Sequence, residues 1–214
     1  MTLHIVITAG PTHEPIDPIR YLANRSSGKQ GFAIAGALAR RGVQVTLITG
    51  PVTLETPPGV TRIDVQTARE MATAVDAALP ADAAIMVAAV ADWRVDSVAQ
   101  KIKKGGIGAT PVLHLVENPD ILATVARGPQ RPHLLIGFAA ETENVIANAT
   151  AKLAKKGCDW IVANDVSGDV MGGAANTVHI VTTDGVESWA RMEKEEVAQK
   201  LAARVLAMIC PDEF

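Results

Sequence analysis

The chain predicts an α/β fold, a Rossmann-like doubly wound and mainly parallel sheet, and three observations carry that prediction. Strand-like and helix-like segments alternate from the first residues to Lys156. Several strands are continuous apolar runs rather than alternating ones, as expected of strands covered on both faces. Residues 8–31, after the first strand, form a connection far longer than the usual two to six or so residues between a strand and a helix, which points to a binding loop.

The first strand is His4–Thr8, apolar and β-branched. The loop after it holds Pro11, Pro15 and Pro18, which restrict the backbone and argue for order rather than a floppy linker. A helix over Gly31–Arg41 follows from the spacing of Phe32, Ile34, Ala35 and Leu38, with Gly42 as its stop. Val43–Ile48 and Val60–Val65 read as strands, Ala68–Ala78 as a helix and Ala83–Ala89 as a buried strand. Residues 95–110 have little apolar periodicity, carry Lys101, Lys103 and Lys104, and end in Gly105-Gly106-Ile107-Gly108, predicting a mobile lysine flap. Asn118–Ala126 is helical, with Asn118 as its cap and Pro119 at its first position. His133–Phe138 is a strand, Val145–Lys156 a helix and Trp160–Ala163 a short strand. Ser167–Asn176 is a second glycine-rich loop. Thr177–Thr182 and Gly185–Trp189 flank the turn Thr183-Asp184-Gly185 and form a small C-terminal β-hairpin region. Lys194–Met208 is the last helix. The whole reads as one domain over residues 1–214, with its ligand outside the carboxyl ends of the strands.

At 214 residues and 48% hydrophobic content the chain buries a full core without staples. A net charge of -3 without dense Lys/Arg blocks argues against nucleic acid. Cys158 and Cys210 fit no disulfide or zinc pattern and read as reduced structural cysteines. No targeting segment and no apolar run near the roughly 20 residues that span a bilayer occurs, so a cytoplasmic protein with no membrane contact is expected.

Ser26, Ser27 and Gly28 lie where unpaired N–H groups and the helix dipole favour an anion. The segment is not a Walker A loop, because Ala23 and Gln30 replace the required Gly and Ser/Thr, and Gly10 stands alone rather than in GxGxxG. The plain alternative is a helix cap. Asp92, after the small residues Ala88 and Ala89, suits a cation or ligand hydroxyl, or equally a turn cap. The lysines 101, 103 and 104 suit closure over a polyphosphate, or simply a solvated surface. Phe138 offers a stacking face or core packing. Lys152 and Lys156 share one face near a helix C-terminus, which is favourable even without a ligand. The histidines have no metal-ligand spacing, and G-x-S-x-G and HExxH are absent, which removes serine hydrolase and zinc chemistry.

Taken in order, Thr8–Gly31, Ala88–Arg94, Lys101–Lys104, Asn118–Ile121, Gly137–Thr142 and Ala163-Asn164-Asp165-Val166 resemble the phosphopantothenoylcysteine synthetase family over about residues 3–190. The resemblance implies a ligase of coenzyme A biosynthesis. In it the 4′-phosphopantothenate carboxylate attacks the α-phosphate of CTP with release of pyrophosphate, and the amine of L-cysteine then releases CMP. Bacterial members use CTP and eukaryotic ones ATP. The resemblance further implies that Asn24 holds the acyl nucleotide and that Arg20 binds the pantothenate phosphate, from the neighbouring subunit of a homodimer. Ser26, Ser27 and Gly28, with Gly10, cradle phosphate; Ala88, Ala89 and Asp92 line the pocket; Lys101 reaches the triphosphate. Asn118, Pro119, Asp120, Ile121, Phe138, Lys152 and Lys156 contact the nucleotide. Mg2+ accompanies CTP, and Asp92 is the one acid nominated to meet it. Gln100 and the acid-free run Gly172-Gly173-Ala174-Ala175-Asn176 depart from the family pattern. The flavin decarboxylase half that normally precedes such a domain is missing, so no flavin is expected in this chain, which reads as stand-alone or as an excised domain with a decarboxylase partner. Two alternatives compete. A nicotinamide-dependent reductase lacks its glycine fingerprint, and Tyr21 is followed by Arg25 where a lysine is wanted. A non-catalytic nucleotide-binding module retains the same site.

Overall fold

A computed structural model of the chain describes residues 2–103, 111–165 and 175–211. In chain order the elements are β1 (His4–Ala9), β2 (His13–Pro15), β3 (Tyr21–Ala23), α1 (Lys29–Ala39), β4 (Gln44–Thr49), β5 (Val60–Asp64) and α2 (Ala68–Ala78). Then come β6 (Ala83–Met86), β7 (Trp93–Arg94), β8 (Val116–Glu117), α3 (Ile121–Arg127), β9 (Leu134–Glu141), α4 (Val145–Lys156), β10 (Trp160–Asp165), β11 (Ala175–Thr182), β12 (Gly185–Glu193) and α5 (Lys194–Ile209).

The main sheet runs β12-β11-β10-β9-β6-β1-β4-β5. Strands β5, β4, β1, β6, β9 and β10 pair in parallel, and β11 and β12 add an antiparallel hairpin at one edge. From β1 the chain winds outward through β4 and β5, then returns to β6 on the other side of β1. That reversal is the doubly wound topology, and it opens a crevice at the carboxyl ends of β1 and β6.

The period-2 alternation of strand side chains divides the core. Ile5 and Ile7 of β1 face α1 and α5, meeting Ile34, Leu38, Leu201 and Val205. Val6 faces the other way, toward Met71 of α2, Leu122 of α3 and Leu153 of α4. Helix α2 starts on a capping box, in which Thr67 Oγ1 accepts from Glu70 N and Glu70 accepts from Thr67 N. No helix among the described residues is long and apolar enough to cross a membrane.

Several boundaries differ from the sequence reading. The 8–31 connection is not a simple loop, because β2 and β3 pair antiparallel within it, His13 opposite Ala23 and Pro15 opposite Tyr21. Strand β6 ends at Met86 rather than Ala89, and the chain then leaves the sheet with Ala89 bridged to Pro11. Strands β9, β10 and β12 run on to Glu141, Asp165 and Glu193, each extended by pairing with its neighbour. Helix α3 starts at Ile121, not Asn118; the cap is Asp120, whose Oδ1 accepts from Ala123 N at 3.1 Å. Of the expected flap, 95–103 is anchored, Val95 being buried and Val98 N donating to Ile16 O at 3.1 Å. Residues 104–110, with Lys104, and residues 166–174 of the second glycine-rich loop lie outside the described residues.

Helix α1 packs so close to β1 that a Cβ on Gly31 would stand 2.6 Å from Ala9 Cβ. Gly31→Ala therefore forces the start of α1 away from the strand end. A destabilisation of about 1–3 kcal/mol is expected, read as a lowered urea midpoint with an unchanged slope.

Candidate functional site

Beyond the last residues of β1 and β6 the two chains continue side by side. Val87 N donates to Thr8 O at 3.2 Å and Ala89 N to Gly10 O at 2.9 Å. Thr12 N donates to Ala89 O, and the buried Thr12 Oγ1 accepts from Ala91 N at 3.0 Å. These bonds hold residues 10–12 and 87–91 as the floor of a cleft of about 1520 Å³. One wall is the β2–β3 hairpin. Buried Glu14 fixes it by accepting from Ala68 N, at the positive end of α2, at 2.9 Å. His13 and Tyr21 stack on this wall at 4.0 Å, and burial pushes the His13 imidazole down while Glu14 opposes the shift.

Asn24 leaves the hairpin and ties it to the floor, its Nδ2 donating to Val90 O at 2.9 Å. Ser26 Oγ accepts from Gly28 N, and Gly28 caps α1 at φ 74°, a left-handed conformation that glycine adopts without cost. No side chain caps the first turn of α1 and no acid stands in it, so its N–H groups are open to an anion. Lys29 and Lys194 also line this end. Burial first, and Lys29 second, depress the Lys194 ammonium.

At the other end Asn118 N donates to Asp92 O and Asn118 Nδ2 to Ala91 O, both at 2.9 Å. Asn118 is therefore a tie between the floor and α3, not a helix cap. The Asp92 side chain is exposed on the cleft wall beside it. Lys152 Nζ donates to Phe138 O at 2.8 Å, and Lys156 Nζ pairs with Asp120 Oδ2. Burial chiefly, then Lys156, pushes the Lys152 ammonium down. Burial alone raises the Asp120 carboxyl, but Lys156, the Ala123 N–H and Lys152 outweigh it and leave the group below its ordinary range.

Among the described residues three buried side-chain oxygens have no protein hydrogen-bond partner: Gln30 Oε1, Asn118 Oδ1 and Asn164 Oδ1. All three residues line the cleft. Gln30 Nε2 donates to Lys194 O at 3.2 Å, which fixes the amide so that its oxygen is the free end. Orphaned acceptors of this kind await donors from a ligand or water.

Of the predicted site residues, the cleft gathers Gly10, Asn24, Ser26–Gly28, Ala88, Ala89, Asp92, Asn118–Ile121, Phe138, Lys152 and Lys156. It does not gather Arg20 or Lys101. Arg20 is turned to Asp17, and Lys101 stands exposed. Sequence reasoning missed Gln30, Lys29 and Lys194, which carry no local motif. It also missed His13 and Tyr21, whose stacking depends on the hairpin. No group of three or more His, Cys, Asp or Glu able to hold a metal occurs among the described residues.

Fold and cleft together define a doubly wound α/β domain with its main cleft at the switch point of the sheet. The chain belongs to the DNA/pantothenate metabolism flavoprotein C-terminal domain family, whose profile matches residues 1–209. It is 47% identical over 209 residues to the coenzyme A biosynthesis bifunctional protein CoaBC of Escherichia coli K12, covering 95% of this chain and 52% of that protein. The corresponding protein of Vibrio parahaemolyticus is 45% identical over 205 residues, covering 94% of this chain and 51% of that protein. The chain thus spans about half the length of the curated relatives it matches. A crystal structure of the C-terminal domain of a CoaBC protein superposes with a TM-score of 0.83 at 39% identity, covering 98% of this chain and 97% of the other.

Lys156→Met removes the ammonium paired with Asp120 and the like charge beside Lys152. Both pKa values are expected to rise. The Asp120 contribution to stability, present above the unfolded pKa and lost as pH falls through the depressed folded one, then disappears at higher pH than in the unsubstituted chain. NMR titration of the Asp120 carboxyl and the Lys152 side chain measures both shifts.

Proposed function

We propose that this chain joins 4′-phosphopantothenate to cysteine at the expense of CTP, in the synthesis of coenzyme A. A carboxylate oxygen of phosphopantothenate attacks the α-phosphorus of CTP, the bond to the β-phosphate breaks, and pyrophosphate leaves an acyl-cytidylate. The cysteine amine nitrogen then attacks the acyl carbon. Its bond to the CMP oxygen breaks, CMP leaves with the electron pair, and the amine proton passes to solvent. The observation that carries this reading is that one cleft gathers all but two of the residues expected from the family resemblance.

The chemistry needs positioning and charge neutralisation rather than a protein nucleophile. Ser26–Gly28 and the open first turn of α1 receive phosphate oxygens. Asn24, anchored on Val90 O by one amide hydrogen, keeps the other for the acyl-cytidylate. Phe138, Lys152 and the 118–121 turn form the nucleotide end, and Asp92 faces the Mg2+ that CTP brings as part of the substrate. Lys101 and Arg20 complete the site from outside the cleft, meeting the triphosphate and the pantothenate phosphate.

Exposed apolar side chains on the hairpin, on the β7–β8 ribbon and on the chain leading into β8, Ile19, Tyr21, Trp93, Val112, Leu115 and Val116, support a homodimer built on this face, through which Arg20 reaches a neighbour's cleft. Sedimentation velocity is expected to give twice the chain mass of 22.4 kDa, and a monomer throughout the working concentration range refutes it. A flavin decarboxylase is the expected partner, and the cytoplasm the expected location.

The deciding measurement is pyrophosphate release from CTP and, separately, from ATP, with phosphopantothenate present and with or without cysteine. Release that requires phosphopantothenate, with multiple turnovers and CMP only when cysteine is added, is expected. Tight CTP binding without pyrophosphate supports the non-catalytic module instead. In Asn24→Asp, which sets a carboxylate against the Val90 carbonyl, acyl-cytidylate formation is expected to slow about 100-fold while CTP affinity stays within about threefold.

A further inference from the structure

Asp17 lies outside the cleft and has no part in the roles above, yet its fully buried carboxylate accepts five hydrogen bonds. Oδ1 takes the backbone N–H groups of Ile19 and Arg20, both at 2.9 Å, and closes the turn between β2 and β3. Oδ2 takes Arg20 Nε at 3.0 Å, Arg20 Nη2, and the backbone N–H of Ile102 at 3.1 Å. The same Nη2 donates to Ile102 O at 2.9 Å. Both backbone groups of the residue after Lys101 are thus held by one carboxylate–guanidinium pair, 85 positions away from Asp17 in the chain. Val98 N on Ile16 O adds a second tie between the same two segments. The Arg20 side chain remains 46% exposed while Nε and Nη2 are engaged, and no described residue hydrogen-bonds Nη1.

We propose that Asp17 is a positioning residue serving both anionic substrates: it holds Arg20 with the Nη1 edge free and pins the backbone beside Lys101, so that one buried carboxylate sets the place of two cations. The inference rests on the function proposed above, in which those cations meet the pantothenate phosphate and the triphosphate. A long side chain and a loop ordered before ligand arrives lose less freedom on binding, which favours affinity. The pair also persists across neutral pH, because the Arg20 guanidinium, against the cost of burial and with help from the three backbone N–H groups, keeps the carboxyl well below the usual carboxylate range.

Asp17→Asn tests this selectively. The amide keeps a carbonyl oxygen for the turn and places an N–H₂ donor where Oδ2 faced three N–H groups, so the turn survives and the tie is lost. Hydrogen exchange on the whole chain is expected to show the Ile102 amide at least about tenfold less protected. The KM values for CTP and for phosphopantothenate are each expected to rise about tenfold, with kcat changed less, since a charge-assisted contact to each cation is lost. A purely structural role lowers kcat through fewer active molecules and leaves both KM values alone. Ile102→Pro, which removes the N–H that Oδ2 accepts and restricts the backbone at Lys101 while keeping the Asp17 carboxylate for Arg20, is expected to raise the KM for CTP and spare that for phosphopantothenate. Unchanged Ile102 exchange, or unchanged KM values in an active Asp17→Asn chain, overturns the positioning role. An unsubstituted chain that releases no pyrophosphate overturns the proposed ligase and the purpose of the tie with it, and is distinguished by failing before any substitution is made.

Discussion

The parallel pairing of β1 with β6 does not stop where the strands stop, and the rest of the site depends on that continuation. Past Ala9 and Met86 the two backbones keep exchanging hydrogen bonds through Ala89 and Thr12, without regular strand geometry. A buried stretch of irregular chain carries polar backbone groups that must be paired, and here each loop supplies the partners of the other. The result is a rigid floor made of small residues, Gly10, Ala88 and Ala89, over which a ligand can approach the backbone closely.

Everything attached to that floor is held by a side chain reaching across sequence. Asn24 brings the hairpin to Val90, Asn118 brings the start of α3 to Ala91, and Glu14 sets the hairpin on the N-terminus of α2. Two of these ties join a loop to the floor, and the third joins strand β2 to helix α2. The cleft is therefore preorganised while its upper rim, the exposed hairpin edge and the β7–β8 ribbon, remains available for contact with another surface.

What the sequence shows, and what it hides, follows from the range of the forces involved. The strands are legible because Ile5–Ile7, Ala83–Met86 and Leu134–Ile136 are buried on both faces and read as unbroken apolar runs. Helix α2 is legible because its period and its capping box are local. Asn118 is misread as a cap because capping is a local rule, whereas its partners lie 27 residues back, at Ala91, and at the neighbouring Asp92. The three-residue strands β2 and β3 escape detection because each carries too few residues to show a period, and Pro15 counts against a strand. Lys194 belongs to the cleft only because α5 packs on α1, a fact of tertiary structure with no trace in the residues around it.

The amide of Gln30 resting on the Lys194 carbonyl spans 164 positions of chain. One wall of the cleft is therefore made 164 residues after the loop it closes on. At about 5–20 residues per second the first loop waits on the order of ten seconds for its far wall. Throughout that interval the apolar face of α1 that α5 will cover is bare. A growing chain of this kind is exposed to misassociation until α5 is made and packs on α1.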